Sequence, residues 1–418
     1  MKKKVKTSEL PLLSELDIFG EYLGGFRVPT APSNGSDWCY AQFGGMDFNP
    51  ANKSLYICNG FAVAEMAIPA LVITENPMEM PEATFLQAAI DPTEGKLTAE
   101  IGAVDWKLGN VIRSGDYLYG NAFAYFDSGG VQVKSHFRHH AKLDQLGGYA
   151  GLVEIAGAPE AGWVSTIMGP VPPEWQQALG GVAVTGGGGI PIITRQPYGH
   201  SLYTFDPADI NVTTPVPATI ILGHPDSHSL GGHEWGSQND LWNGSSVWHG
   251  VTLINNSRTC LISGFHGTGP WCYGNGGAGP PTSECLDWVL PAHGTHAYPY
   301  RYQVWAYDLS DLAAVKAGTK EAWEPQPYAV MLPTFPTESG YPNIIGSAYD
   351  AGDLILYLMQ ARVHGYDNAF PAVHGFRVKV MGGTPPQPQP EPDEEVIADV
   401  VFRGTMAIRY REGHKRKP

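Results

Sequence analysis

The sequence predicts an all-β protein, a five-bladed β-propeller of four-stranded blades, on three observations. Short apolar runs recur in a fixed order of strand, turn and strand, and most of the cycles open on a Gly-led strand. Five such cycles fit between residues 20 and 381. The fifth stops one strand short, while a matching strand stands unassigned near the N-terminus. Composition agrees: 51 Gly, 35 Pro, 11 Trp and 20 Tyr with only 16% charged residues suit short strands and ordered turns better than long exposed helices.

Taken in order, residues 1–19 read as an arm and 21–28 (EYLGGFRV) as the unassigned strand. The first cycle has strands at 43–48, 54–58, 63–68 and 83–90, with Asn/Pro turn chemistry at 49–53. The second has 108–112, 117–125, 151–155 and 162–168. The third has 181–184, a glycine turn at 186–189, then 190–195, 201–205 and 218–222. The fourth has 250–254, 259–263, 302–307 and 328–332. The fifth has 346–349, 354–359 and 375–380, and it borrows 21–28 as its last strand. A first strand that completes the last sheet locks a ring and removes its exposed edges. A two-sheet sandwich, or a sixth blade within 91–107 or 264–300, are the competing architectures.

Charge bounds the partners. Residues 1–8 and 403–418 carry basic excess, and without them 16 basic face 40 acidic side chains, a body near −24. Such a body argues against nucleic-acid binding, which depends on Lys and Arg. No run of about 18 apolar residues exists, so no membrane span is expected. The N-terminus has a charged start but no continuous apolar segment, which predicts synthesis without Sec export. Among five cysteines, Cys272 and Cys285 flank a Gly/Pro-rich segment and read either as a loop disulfide or as buried thiols.

The motifs GGMDFNPANKSLYI, GFHGTGPWCYG, GTHAYPYRYQVWAYDLSDL and GSAYDAGDLILYL resemble a family of propeller-like proteins encoded by bacteria and their phages. The resemblance covers most of residues 20–381 and implies a fold and a distribution. It brings no catalytic residues with it.

In a propeller the connections into each blade and between its second and third strands share one face. That face is predicted to hold most of the histidines, including His136, His139, His140, His200 and His364, together with Trp38, Trp235, Trp242, Trp248 and Trp271. The other face, with turns such as NPANK, is expected to be plain. Aromatic rings beside Asn, Asp and His suit sugar recognition, and the same residues also serve simply to pack loops. The ligand-binding candidates are His233, Glu234, Asp240, Trp248, His249, His266 and His296. His224, His228 and His233 with Glu234 form a weak metal-ligand candidate, HPDSHSLGGHE, whose spacing matches no standard motif. Paired carboxylates for glycoside hydrolysis could come from Asp37, Asp105, Glu234, Asp240 and Asp367. Asp47 and Asp350 recur in corresponding blades but read as turn caps, and residues 186–189 read as a hairpin turn. No cofactor is expected.

Residues 382–395 form a Pro-rich linker and 396–418 a basic, strand-patterned tail suited to pairing with other subunits or with copies of itself, or else a disordered tail. The expected function is a non-enzymatic structural and binding component of a phage virion, from its tail or surface, possessing no nucleic-acid site and touching surface polysaccharide. The alternative is a carbohydrate-active or metal-dependent hydrolase with its site in the loop-rich mouth, made in the bacterial cytoplasm.

Overall fold

The computed structural model describes residues 6–29, 44–102, 105–190, 193–277, 285–287, 289, 290, 292–337, 339, 341–363 and 370–380. After β1 (Tyr22–Arg27), blade one comprises β2 (Gly45–Asn49), β3 (Ser54–Cys58), β4 (Val63–Ala67) and β5 (Phe85–Ile90). Blade two is β6 (Trp106–Ser114), β7 (Tyr117–Ala124), β8 (Lys134–His140) and β9 (Ala150–Glu154). Blade three is β10 (Ile167–Pro170), β11 (Ala183–Gly186), β12 (Ser201–Phe205) and β13 (Ala218–Gly223). Blade four is β14 (Val247–Leu253) and β15 (Thr259–Gly267), then, after the small hairpin β16 (Cys272–Asn275) and β17 (His293–His296), β18 (Tyr300–Asp308) and β19 (Ala329–Met331). Blade five is β20 (Ile344–Asp350), β21 (Ile355–Val363) and β22 (Phe370–Arg377), completed by β1.

All strand pairs within these sheets are antiparallel, and β1 joins β22 with Gly25 opposite His374 and Phe26 opposite Val373. The five-bladed ring closed by the N-terminal strand is therefore the fold. Among the described residues no helix is long and apolar enough to cross a membrane.

The core consists of five apolar layers, one between each pair of neighbouring blades. Strand β3 shows why. All five of its residues are buried; Leu55 and Ile57 enter the layer shared with Met359 and Val373 of blade five, and Tyr56 and Cys58 enter the layer shared with Leu118 and Phe137 of blade two. A period of two with both faces apolar is what a sheet sandwiched between sheets requires.

The first strand of each blade lies innermost, and these strands pack in a closed cycle: β2 on β6, β6 on β10, β10 on β14, β14 on β20, and β20 on β2. One glycine in each makes that approach possible. A Cβ on Gly45 would stand 2.8 Å from Asn110 Cα, on Gly109 2.8 Å from Thr166 Cα, on Gly169 2.8 Å from the Val251 oxygen, and on Gly250 2.8 Å from Ser347 Cβ. On Gly346 it would meet Met46 Cγ at 3.1 Å. Each glycine faces the entry or the body of the next blade's inner strand, so the five form a head-to-tail collar around the axis.

Several expectations are corrected. The second blade's third strand is β8, sequence KSHFRHH, within the stretch expected to be a connection; its buried side chains include Ser135 and His136, so no apolar alternation announces it. Residues 151–155 thereby become the fourth strand, and 162–168 lead into the inner strand of blade three. Residues 181–184 belong to that blade's second strand, and the described residues of 190–195 hold no strand but a 3-10 turn at Ile193–Arg195. Residues 186–189 are a close-approach loop rather than a hairpin turn: a Cβ on Gly188 would enter the Trp248 ring, and Gly189 has φ +73°. Residues 7–19 are no free arm. Leu13 and Ile18 are buried, the Leu13 amide donates to Thr259 Oγ1 at 2.9 Å, and Ser14 and Asp17 form a capping box on the helix Glu15–Phe19. The expectations for the linker and tail at 382–418 lie outside the described residues.

The collar predicts graded sensitivity. Gly109→Ala forces overlap with backbone atoms and should cost about 1–3 kcal/mol or more, whereas Gly346→Ala meets the flexible Met46 and Met359 side chains and should cost less. Urea unfolding of the two variants measures this, and equal losses would contradict the collar.

Candidate functional site

The loop-rich face exists as the strand directions require, but most of its histidines are interior. His136, His139, His200, His224, His249, His266, His296 and His374 are all buried. His136, His139 and His140 lie in β8, His266 in β15, and His293 and His296 in β17, rather than in irregular connections. Three of them link blades. His136 Nε2 meets Thr185 Oγ1 at 2.9 Å between blades two and three, and His200 Nδ1 meets the Tyr307 hydroxyl at 2.7 Å between blades three and four. His374 accepts from the Tyr22 hydroxyl at Nδ1 and donates from Nε2 to Gln360, whose amide donates to Tyr302. One imidazole thus ties the closing strand to blade five and, through Gln360, to blade four.

At the upper mouth of the channel a cavity of about 140 Å³ is lined by Ser246, His249, Tyr341 and Asn343 together with the β16–β17 hairpin. Cys272 and Cys285 are joined as a disulfide at the base of that hairpin, and Cys58 and Cys260 are buried free thiols. His296 anchors the hairpin: Nδ1 lies 2.8 Å from Asp287 Oδ2 and Nε2 3.1 Å from the Gly274 oxygen, while the Tyr300 hydroxyl donates to the same Asp287 oxygen. Burial raises the Asp287 carboxyl, but hydrogen bonds from His296, Tyr300 and two backbone amides outweigh it and hold the group below the usual carboxylate range.

The other candidates do not converge there. Trp248 is buried against Gly188 and His200, so it is a packing residue. His266 is held by Ser246 and the Asn239 oxygen. Glu234 and Asp240 are exposed, with Asp240 3.8 Å from Arg301 Nη1. Asp105 pairs with Lys107, and Asp37, Asp367, Trp38 and His364 lie outside the described residues. Among the described residues no Asp or Glu lines the upper cavity. In the HPDSHSLGGHE segment His224 Nδ1 faces the His228 oxygen at 3.2 Å, His228 stacks on Trp323 and His233 pairs with Asp226 at 3.0 Å. Each imidazole has its own partner, and no group of three metal-ligating side chains is assembled among the described residues.

The face expected to be plain holds a structured polar cleft between blades one and two, about 920 Å³ in volume. Its floor is the Glu65 carboxylate of β4, which is buried and accepts from Asn49 Nδ2 (2.7 Å), Asn52 Nδ2 (2.9 Å), Ser54 Oγ (2.5 Å) and Gln87 Nε2 (2.6 Å). Burial raises this group, and the four donors outweigh burial, so it is held low and ionised. Gln87 also donates to the Ala141 oxygen and accepts from the Leu143 amide, joining the two blades.

Asp350 caps its turn by accepting from Gly352 and Asp353 amides. Asp47 does not, since Asn49 caps the first turn by accepting from Ala51. Asp47 instead lines the lower channel, a cavity of about 210 Å³, and accepts from the Arg113 amide at 2.6 Å; burial pushes its carboxyl up to about 7. These residues were missed because the cleft draws on Glu65, Gln87 and Arg113, which only blade pairing brings together. The hairpin's Asn49 and Asn52 were the sole local signal.

Burial holds His136, His249 and His374 down at about 3 and His224 and His266 at about 4, with His200 also well below the ordinary imidazole range. An unfolded histidine binds its proton near pH 6.5, so this stability is complete above about pH 6.5 and is lost as pH falls toward the depressed folded values. Asp47 acts oppositely: its contribution is complete below the unfolded carboxylate range and is lost as pH rises toward about 7. Six imidazoles outweigh it. Melting temperature should fall clearly between pH 7 and pH 5, with a shallower fall in His374→Gln; equal melting temperatures at both pH values would contradict the buried neutral state.

No family model matches the chain, and no curated protein does. Among solved structures, a chain from a crystal structure of the mitotic checkpoint complex is 8% identical, covering 90% of this chain and 99% of that one at a TM-score of 0.33. A chain of Kuenenia stuttgartiensis hydrazine synthase is 10% identical, covering 75% and 79% at a TM-score of 0.27. Likeness at this level carries no argument about function, and the propeller stands on the strand pairing described above.

Proposed function

We propose that the chain is a non-enzymatic binding module whose loop-rich face engages polysaccharide, serving as a structural component of a virion. One observation supports the binding face above others. The exposed large aromatic side chains among the described residues, Phe61, Phe126, Trp235 and Tyr298, all stand in connections of that one face. Phe61 and Phe126 follow second strands in blades one and two, Trp235 lies in the connection into blade four, and Tyr298 precedes β18. Rings left in water on a rigid ring of blades suit the apolar faces of sugars, with neighbouring polar groups available for hydroxyls.

The buried, hydrogen-bonded histidines beneath this surface support a scaffold role for the loops, since their bonds to neighbouring side chains and backbone hold the face in one shape. Pre-shaping of this kind lowers the ordering cost of binding. The hydrolase alternative draws no support from the described residues of the upper mouth, among which no carboxylate pair lines the cavity. The virion setting follows from the sequence resemblance and from the basic, strand-patterned tail at 396–418.

Binding to bacterial surface polysaccharide in a retention assay tests the reading. Trp235→Ala combined with Tyr298→Ala should weaken retention about tenfold or more, equivalent to about 1.4 kcal/mol, while melting temperature stays near that of the parent chain. Retention unchanged by the pair, or turnover of the polysaccharide by the parent chain, would overturn it.

A further inference from the structure

The cleft between blades one and two is several times larger than either channel cavity and lies on the face opposite the exposed aromatics. We propose that it is a second binding site, taking an acidic sugar whose carboxylate is received by Arg113. The proposal stands on the cleft alone and is independent of polysaccharide binding at the loop-rich face.

Arg113 is the unusual group. The chain holds 41 acidic against 26 basic side chains, yet Arg113 forms no ion pair among the described residues. Its guanidinium makes one hydrogen bond, Nη1 to Asn49 Oδ1 at 3.3 Å, and its position is fixed from behind because its own backbone amide donates to Asp47. A guanidinium carries five N–H donors in a planar fork that matches a carboxylate, so most of its donor capacity remains open to the cleft it lines. Lys142, exposed at the rim and 3.7 Å from Asp144, adds a second cation.

The rest of the lining decides which anion. Glu65 is ionised at the floor and Asp116 stands at the rim, and both would repel a polyphosphate. Arg113 and Lys142 together offset Glu65 and Asp116, so the lining is close to neutral and tolerates one negative charge on a ligand better than several. The volume is well beyond what acetate or inorganic phosphate fills and lies in the range of sites for ring-sized ligands. Tyr117 and His140, stacked on each other with centroids 5.5 Å apart, also line the cleft and add ring surface to it. Asn52 spends its NH2 on Glu65 and keeps its carbonyl for a hydroxyl donor. A hydroxylated ring bearing one carboxylate satisfies these features together.

Titration calorimetry of the full chain with sodium glucuronate, glucose, acetate and inorganic phosphate provides the test. Glucuronate should bind at least about tenfold more tightly than the other three. Arg113→Gln should weaken it about tenfold, and Lys142→Glu, a change at an exposed position that leaves folding intact, severalfold. Bound glucuronate should also raise the melting temperature of the parent chain and not that of Arg113→Gln. Undetectable glucuronate binding would overturn the proposal. So would acetate, glucose or phosphate binding as tightly, or unchanged glucuronate affinity in both variants.

Discussion

Five sheets that meet around one axis must bring their inner strands closer than side chains normally allow, and this structure meets the constraint with one glycine per blade. Gly45, Gly109, Gly169, Gly250 and Gly346 let each inner strand press against the next, and the cycle returns to its start. The consequence is a narrow channel. The cavities at its two mouths hold about 210 and 140 Å³, against about 920 Å³ in the cleft between blades one and two.

Outside the collar, cohesion comes from the five apolar layers and from polar links set into them. His136, His200 and His374 each bridge elements distant in sequence, and Glu65 with Gln87 performs the same task between blades one and two. Buried polar groups of this kind are tolerated because their partners are in place, and breaking a partnership leaves an unsatisfied group in an apolar layer. The N-terminal segment adds a strap. Through Leu13, Ile18 and the β1–β22 pairing it closes the ring and covers the seam between blades four and five.

How much of this was legible follows from what each strand buries. Strands such as β3 (SLYIC) and β18 (YRYQVWAYD) bury apolar groups in alternation, and they were readable, as was the borrowed strand at residues 21–28. Strand β8 was not, because it fills its layers with Ser135, His136 and Phe137 while showing Lys134 to solvent. The four-residue β10, ending in Pro170, was too short to stand out, and missing these two shifted the frame of blade three by one strand. The histidine-rich face was visible as composition, yet composition does not distinguish an imidazole that binds from one that bridges blades. The cleft is invisible in the sequence because Glu65 reads only as part of a strand and Arg113 only as part of the connection between two strands.

The ring depends most on its closure by β1, and native-state hydrogen exchange of the backbone amides tests that closure directly. The amides of Tyr22–Arg27 that bond to β22 should open together with those of β21 and β22, as one cooperative unit. If they instead exchange as freely as an unstructured segment while β21 stays protected, β1 does not complete blade five and the closed five-bladed ring is wrong.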